Sequence, residues 1–277
     1  MKFNEITYLG PEGTYTHQVA EMRFGTDIVM VPASTIFDAC EHVKERPGTA
    51  AVVPIENSSA GNITATIDIL LNDTELTVVE SISMVVRLAL LGRKGSEIKK
   101  LYSHFAPFKH CAGWIRKNHP GAECREASST AEAAVKVKGE PDAAVLGSSR
   151  LAEIYGLDIL EYPVEQDIVN ETEFAVITST ATRGTDTAGE KTNLAMELLS
   201  GPGTLCSFLI PFRDKEVNLT RIISRPVYGV PNEYAFYIDI NGNRNDPQVQ
   251  EALSLARQHC DSLRIIGSYT FAGKFHS

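Results

Sequence analysis

The chain has 277 residues, 43% hydrophobic and 22% charged, which is enough apolar material for real cores; at roughly 100–200 residues per domain it predicts two domains. Its formal net charge of −9 excludes the basic face that nucleic acid requires, and obliges any anionic ligand to be held by local donors against the overall field. No apolar run approaches the ~18 residues of a membrane span, because Arg87 interrupts the longest candidate, "SISMVVRLALLG".

In chain order, strand and helix signals alternate over the first ~180 residues. "EITYLG" predicts a strand entering a turn, without the apolar core of a secretory leader, and "TYTHQVAEMRF" has helical spacing. "IVMVPAS" predicts a strand, "TIFDACEHVKE" a helix capped by Ser34 or Thr35, and "TAAVVPIE" a strand again. "TVVESISMVVRLALLG" is a long β-rich run suited to crossing between lobes. "KKLYSH" then "APFKHCAGWIRKN", "AECREAS" then "STAEAAVKVK", and "DAAVLG" then "SSRLAEIYG" repeat the strand-to-helix pattern. That pattern predicts α/β architecture with mostly parallel sheets. The stretch "STATRGTDTAGEK" is polar, rich in Thr and Gly, and reads as a linker. Beyond it "NLAMELL", "TLCSFLIPFRD", "VNLTRIISRP", "YAFYIDIN", "PQVQEALSLARQHC" and "SLRIIGSY" follow a β-α-β-β-α-β order, the ferredoxin-like arrangement. The predicted organisation is a first domain over 1–180, a linker over 181–191 and a second domain over 192–277.

The loops "GPEGTYT", "PIENSSAGNIT", "SHFAP", "SST" and "GSS" each place small hydroxylic or Gly residues where a strand ends and a helix begins. Strand carboxyl ends form the ligand crevice of open α/β sheets, and helix N-termini offer unpaired N–H groups to anions. Together the loops predict a cleft that grips carboxylates through backbone amides and hydroxyls. The cysteines Cys40, Cys111, Cys124, Cys206 and Cys260 are scattered, odd in number and free of any CxxC pair. They argue against a disulfide framework or structural zinc, predict no metal, and fit a reducing cytoplasm.

"YLGPEGTYTHQVA", "PIENSSAGNITATIDILL", "YSHFAPFKHC", "GSSRLAEIYGLDIL" and "QDIVNETEF" resemble, in order and spacing, the prephenate dehydratase domain. "NLTRIISRP" followed by "IIGSY" resembles the ACT regulatory domain fused to it. The resemblance implies a two-lobed fold like the type II periplasmic binding proteins, with the active site between the lobes, and a βαββαβ ACT domain behind it. It further implies decarboxylative dehydration of prephenate to phenylpyruvate without a cofactor, feedback by phenylalanine, and assembly as a homodimer or homotetramer. Hydroxide leaves poorly unless a proton reaches it. The weakly acidic Thr172 of the motif would act by hydrogen bonding to the leaving oxygen as charge develops.

By the same resemblance, Asn170 and Phe174 flank Thr172, and Asn57 and Ser58 would donate to a substrate carboxylate, although Asn and Ser also form turns. Thr14 belongs to the first loop, where Gly10 and Gly13 permit a turn; Ser103 and Ser148 are expected as helix caps and substrate donors. Glu56 is expected to orient neighbouring amides, and His104 either carries positive charge near the cleft or caps a helix. Gly203, Leu205, Asn218, Leu219, Ser224 and Arg225 match the effector site.

The chain departs from the family pattern where Glu173 follows the threonine in place of Arg, a reversal of charge. Strand alternation would point Glu171 and Glu173 away from Thr172, with Arg87 and Arg150 as candidates to restore positive charge. Ile223 stands where the effector turn has Glu, and "SHFAPFKHC" lacks the family's Gln. These departures keep open an arogenate dehydratase, a non-aromatising prephenate decarboxylase, or a non-catalytic amino-acid-binding sensor.

Overall fold

A computed structural model of the chain describes residues 2–164, 169–184, 189–198, 201–227, 229–230 and 233–277. The first lobe is laid down by β1 (Glu5–Leu9), α1 (Tyr15–Phe24), β2 (Val29–Ala33), α2 (Ile36–Glu45), β3 (Thr49–Asn57), the short β4 (Gly61–Asn62), α3 (Thr64–Asn72) and β5 (Leu76–Val85). Helix starts follow side-chain caps written in the sequence. Thr14 accepts from the His17 N–H, and Thr35 and Asp38 form a reciprocal capping box. The chain then crosses to a second lobe: β6 (Ala89–Gly92), β7 (Lys100–Ser103), α4 (Phe105–His110), α5 (Ala112–Asn118), β8 (Glu123–Glu126), α6 (Thr130–Lys138), β9 (Ala143–Gly147), α7 (Leu151–Tyr155) and β10 (Asp158–Glu161). It returns through β11 (Glu171–Ser179) and α8 (Thr180–Arg183). The C-terminal unit is β12 (Lys191–Glu197), α9 (Thr204–Asp214), β13 (Leu219–Pro226), β14 (Tyr234–Asn241), α10 (Pro247–Ala256) and β15 (Ser262–His276).

Both lobe sheets are mixed where the sequence predicts mostly parallel ones. β1 runs parallel to β2 and β3, but β11 re-enters the first lobe antiparallel between β3 and β5. In the second lobe β7 pairs parallel with β8 and β9, whereas β6 pairs antiparallel with both β9 and β10. The strands on which the chain enters and leaves each lobe account for the difference.

The C-terminal unit has strand order β13-β14-β12-β15, the ferredoxin-like arrangement. Alternation along its strands gives the sheet two apolar faces. Leu194, Met196, Ile238 and Ile240 pack on Phe208, Phe212, Val249 and Leu253 of α9 and α10. Ala195, Tyr237, Ile266 and Tyr269 of the opposite face share a core with Ile67, Leu70 and Val78 of the first lobe. The unit is thus sandwiched between its own helices and the lobe behind the cleft.

The sequence predicts a last strand over "SLRIIGSY", but β15 continues to His276. Its first half pairs with β12, and residues 270–276 pair parallel with β5, which joins the unit and the first lobe into a ten-stranded sheet. A register shift between Phe271 and Lys274, and Gly273 at φ 124°, break the alternation that would have marked this extension. Part of the polar stretch read as a linker is structured. Ser179 caps α8, and Arg183 is buried, donating to Thr77 Oγ1 at 3.1 Å, to the Val78 carbonyl at 2.6 Å and to the Ser268 carbonyl. Residues 185–188 of that stretch, and 165–168 of the segment before β11, lie outside the described residues. Among the described residues no helix is long and apolar enough to cross a membrane, and no cluster of His, Cys, Asp or Glu could hold a metal.

Candidate active site

A cavity of about 650 Å³ lies between the lobes at the carboxyl ends of β1, β2, β3, β7 and β8, where an open α/β sheet places its ligand. Four of the loops singled out by sequence reach it: Thr14, Tyr15 and Thr16 from the first, Asn57, Ala60 and Ile63 from the second, His104 to Pro107 from the third, and Ser128 to Thr130 from the fourth. Leu9, Pro54, Val86 and Phe174 add apolar wall. The lining residues include no Asp, Glu, Lys or Arg. Its polar character comes from hydroxyls, amides and the starts of α1 and α6, whose first-turn N–H groups have no intrahelical partner.

Thr172 stands opposite Asn57 in the antiparallel pairing of β11 with β3, so both side chains project from one face of the sheet. The Asn57 carbonyl Oδ1 accepts from the Ser59 and Ala60 backbone N–H groups at 2.9 and 2.8 Å. Those two donors fix the amide's orientation. Its Nδ2 therefore donates to Thr172 Oγ1 and to Asn170 Oδ1, both at 2.8 Å. Thr172 Oγ1 is an acceptor in this contact, and its own proton has no acceptor among the described residues. Thr172 is 8% exposed and lines the cavity, so that proton is free to be donated to a group bound in the cleft.

Of the residues singled out by sequence, Thr14, Asn57, Asn170, Thr172 and Phe174 line the cavity. Three predicted donors do not. Ser58 sits at the surface, tying β3 to β11 by donating to the Val169 carbonyl and accepting from the Glu171 N–H. Ser103 is fully buried and donates to the Leu146 carbonyl at 2.6 Å, stapling β7 to β9. Ser148 is buried and accepts from Gln18 Nε2 at 2.8 Å, a bond between lobes. In each case a backbone or lobe partner has claimed the hydroxyl. His104 caps α4 by accepting from the Ala106 N–H, and burial, partly offset by Glu126, lowers its pKa; both favour the neutral ring.

Neither arginine proposed to restore positive charge reaches the cleft. Arg150 pairs with Glu21, and Arg87 is exposed, with its carbonyl accepting from Tyr15. Glu173 points away from the cavity and pairs with Arg221 of β13, a residue the sequence reading passed over. Its signal was present: Arg221, Ile223 and Arg225 alternate along one strand face, and that face packs on the first lobe. Ile223 packs into the shared apolar core there, which suits an apolar residue at that position. His17 was also missed. Its Nδ1 accepts from the Gly13 N–H at 3.2 Å and its ring stacks on Tyr8, bracing the first loop.

The six predicted effector residues do not form one site within a chain. Asn218 and Leu219 open β13, whereas Ser224 and Arg225 close it, ~20 Å away along an extended strand. The chain leaves β12 for α9, and for Gly203 and Leu205, at the level of Arg225, since Glu197 and Arg225 both pair with Ala235. Arg225 itself holds Asp68 of α3 through Nε and Nη2 at 2.6 and 2.8 Å.

Two lobes around an uncharged cleft, with a βαββαβ unit packed behind one of them, define a periplasmic-binding-protein-like α/β protein carrying a C-terminal ACT-type domain. The prephenate dehydratase family profile matches residues 6–182. A bifunctional chorismate mutase/prephenate dehydratase of Neisseria gonorrhoeae is 35% identical over 274 residues, covering 96% of this chain and 74% of that protein. Among solved structures, a prephenate dehydratase from Arthrobacter aurescens in complex with L-Phe superimposes with a TM-score of 0.85 at 31% identity, covering 97% of this chain and 90% of that one. A structure described as GqqA, a novel type of quorum quenching acylase, has a TM-score of 0.82 at 25% identity, covering 96% of this chain and 97% of that one. The chain belongs to the prephenate dehydratase family.

Proposed function

We propose that the chain catalyses the decarboxylative dehydration of prephenate to phenylpyruvate, a carbon–oxygen lyase step in phenylalanine biosynthesis. The observation that carries this reading is the polarity of the Asn57–Thr172 hydrogen bond, which leaves the Thr172 proton for the cleft. As the bond from the ring to its carboxylate breaks, the electron pair moves into the ring, CO2 departs, and the opposite C–O bond opens. The developing hydroxide takes a hydrogen bond from Thr172, whose acidity is raised by the donation it receives from Asn57. An uncharged wall suits this reaction. A salt bridge to the departing carboxylate would stabilise the ground state more than a transition state in which that charge is dispersing. The remaining substrate charge is met by the starts of α1 and α6.

Assaying prephenate and arogenate side by side, with ultraviolet detection of the aromatic keto acid and chromatography of the amino acid, tests the reading. Turnover of prephenate supports it; turnover of arogenate alone, or of neither, overturns it. Glu173 gives no reason to prefer arogenate, because its carboxylate faces away from the cavity. An acylase reading calls for a nucleophile and base at the cavity wall. Ser59 Oγ lies 2.9 Å from His110 Nδ1, but neither side chain lines the cavity.

The division into a catalytic domain over 1–180 and an ACT domain from 192 belongs to this proposal, as does phenylalanine as the effector. A site whose parts lie at opposite ends of β13 is completed by a second copy, which supports a homodimer or homotetramer. Five free cysteines support residence in a reducing cytoplasm.

A further inference from the structure

The reacting pair is held from behind. Because side chains alternate across a strand, Glu56 and Glu173, the neighbours of Asn57 and Thr172, project from the opposite sheet face towards the C-terminal unit. There both carboxylates meet one guanidinium. Arg221 donates to Glu56 Oε2 through Nε at 3.0 Å and Nη2 at 2.8 Å, and to Glu173 Oε2 through Nη2 at 2.5 Å. Its remaining nitrogen, Nη1, is anchored by the buried Asp239 at 2.6 Å. The Arg221 side chain is 12% exposed and Glu173 23%, so that arm is screened less than a surface pair, whereas Glu56 lies at the edge of the seam at 42%. Burial opposes its charge, but Asp239 and Glu173 outweigh that and hold its pKa above the ordinary value.

β11 keeps one register with β5 from Glu171 to Val176, but its ladder to β3 is interrupted beside the pair. The β11–β3 ladder shifts between Glu173 and Phe174, one residue from Thr172, and a bulge there loosens the pairing. On the far side β3 turns after Asn57, and Ser58 makes the last tie to β11, its N–H donating to the Glu171 carbonyl at 2.8 Å. The catalytic pair therefore lies between the bulge and the Ser58 tie, and on the opposite sheet face the shared guanidinium joins the side chains of the two strands. An arginine at 173, as in the family pattern, would set two guanidinium groups against each other. Glu173 and Arg221 are complementary in this chain.

We propose that Arg221 is a positioning residue for the elimination: by clamping Glu56 and Glu173 together it fixes β11 against β3, and with it the Asn57–Thr172 hydrogen bond. The kinetic part of this inference rests on the prephenate dehydratase reading. Since Arg221 belongs to the C-terminal unit, a shift of β13 is transmitted to the reacting hydroxyl through two carboxylates, with no movement of the lobes required.

The test compares Arg221→Ala, Arg221→Lys and Glu173→Gln in the full chain, reading kcat and KM for prephenate together with backbone hydrogen exchange. Arg221→Ala is expected to lower kcat about 10- to 100-fold with KM within about threefold, the split that a misplaced reacting group produces. Arg221→Lys, which keeps the charge without the fork, is expected to recover part of the loss, and Glu173→Gln to fall between Arg221→Lys and wild type. Exchange is expected to rise at 56–59 and 170–174 while 50–53 and 175–178 stay protected. Unchanged kcat in a folded Arg221→Ala, a rise in KM alone, or exchange raised evenly along both strands would overturn the proposal. Should Arg221→Ala not fold, Arg221→Lys and Glu173→Gln with wild-type kcat would do the same. If the wild-type chain turns over no prephenate, the functional reading fails by itself, and the exchange pattern still decides the clamp.

Discussion

Exchanging Asn57 for aspartate changes the site by one atom type and reverses its key hydrogen bond. The retained oxygen still accepts from the Ser59 and Ala60 N–H groups, so the turn after β3 survives. The new oxygen cannot donate. Thr172 must then donate to it, and the proton aimed at the cleft is spent inside the protein. Asn170 Oδ1, 2.8 Å away and in a residue only 7% exposed, loses its donor and faces a second acceptor. One buried acceptor left unpaired costs about 1–3 kcal/mol of stability, while loss of an oriented donor to a developing oxyanion costs about 10²–10³ in kcat. The expected Asn57→Asp variant is therefore folded, modestly destabilised in urea, and at least a hundredfold slower than wild type. Asn57→Ala, which leaves the Thr172 proton free but the hydroxyl unheld, should be the faster of the two. Stopped-time assays of aromatic product alongside urea titrations measure both quantities. An Asn57→Asp variant with kcat within about threefold of wild type would refute the assigned polarity of the Asn57–Thr172 bond.

The pH dependence of stability should carry the mark of Asp239. Burial, partly offset by Arg221, raises its pKa from 3.8 to about 6. Its contribution is fully present below 3.8 and is lost as pH rises through about 6, a difference of roughly 3 kcal/mol between the limits. Wild type should lose stability relative to Asp239→Asn across that window, in urea midpoints taken from pH 4 to 7; a constant difference between the two proteins would contradict this. Asp68→Asn releases the Arg225 guanidinium and should cost about 1 kcal/mol or less, as half-exposed pairs do. If Arg225 serves the effector site, the same variant binds phenylalanine more tightly in calorimetry, and weaker binding would place Arg225 outside that site. At Gly267 an added Cβ would lie 2.5 Å from the Val78 carbonyl and 2.6 Å from Thr77 Oγ1. Gly267→Ala should therefore destabilise the chain by about 1–3 kcal/mol or more by forcing β15 from β5, and an unchanged thermal midpoint would show the seam to be loosely packed.

Much of this molecule can be read from local patterns. Helices α2 and α9, and strand β14, follow periodicity and caps within one stretch of chain, and four of five loops at strand ends reach the cleft because α/β geometry gathers such ends together. What escaped depends on partners far away in sequence. Whether Ser103 and Ser148 face ligand or protein is decided by the Leu146 carbonyl and by Gln18, neither of which local spacing identifies. Strand alternation turned Glu173 away from Thr172, but its partner Arg221 comes from β13, 48 positions away, which local spacing does not identify. The continuation of β15 was hidden by a glycine and a register shift, and its partner β5 lies nearly two hundred residues earlier.

The most direct test removes the hydroxyl itself. In single-turnover experiments with prephenate, Thr172→Ser should keep most of the rate, because the Oγ and its donor from Asn57 remain, while Thr172→Ala should fall by about 10²–10³ with substrate affinity little changed. A Thr172→Ala rate close to wild type would mean that the departing oxygen is met by some other group.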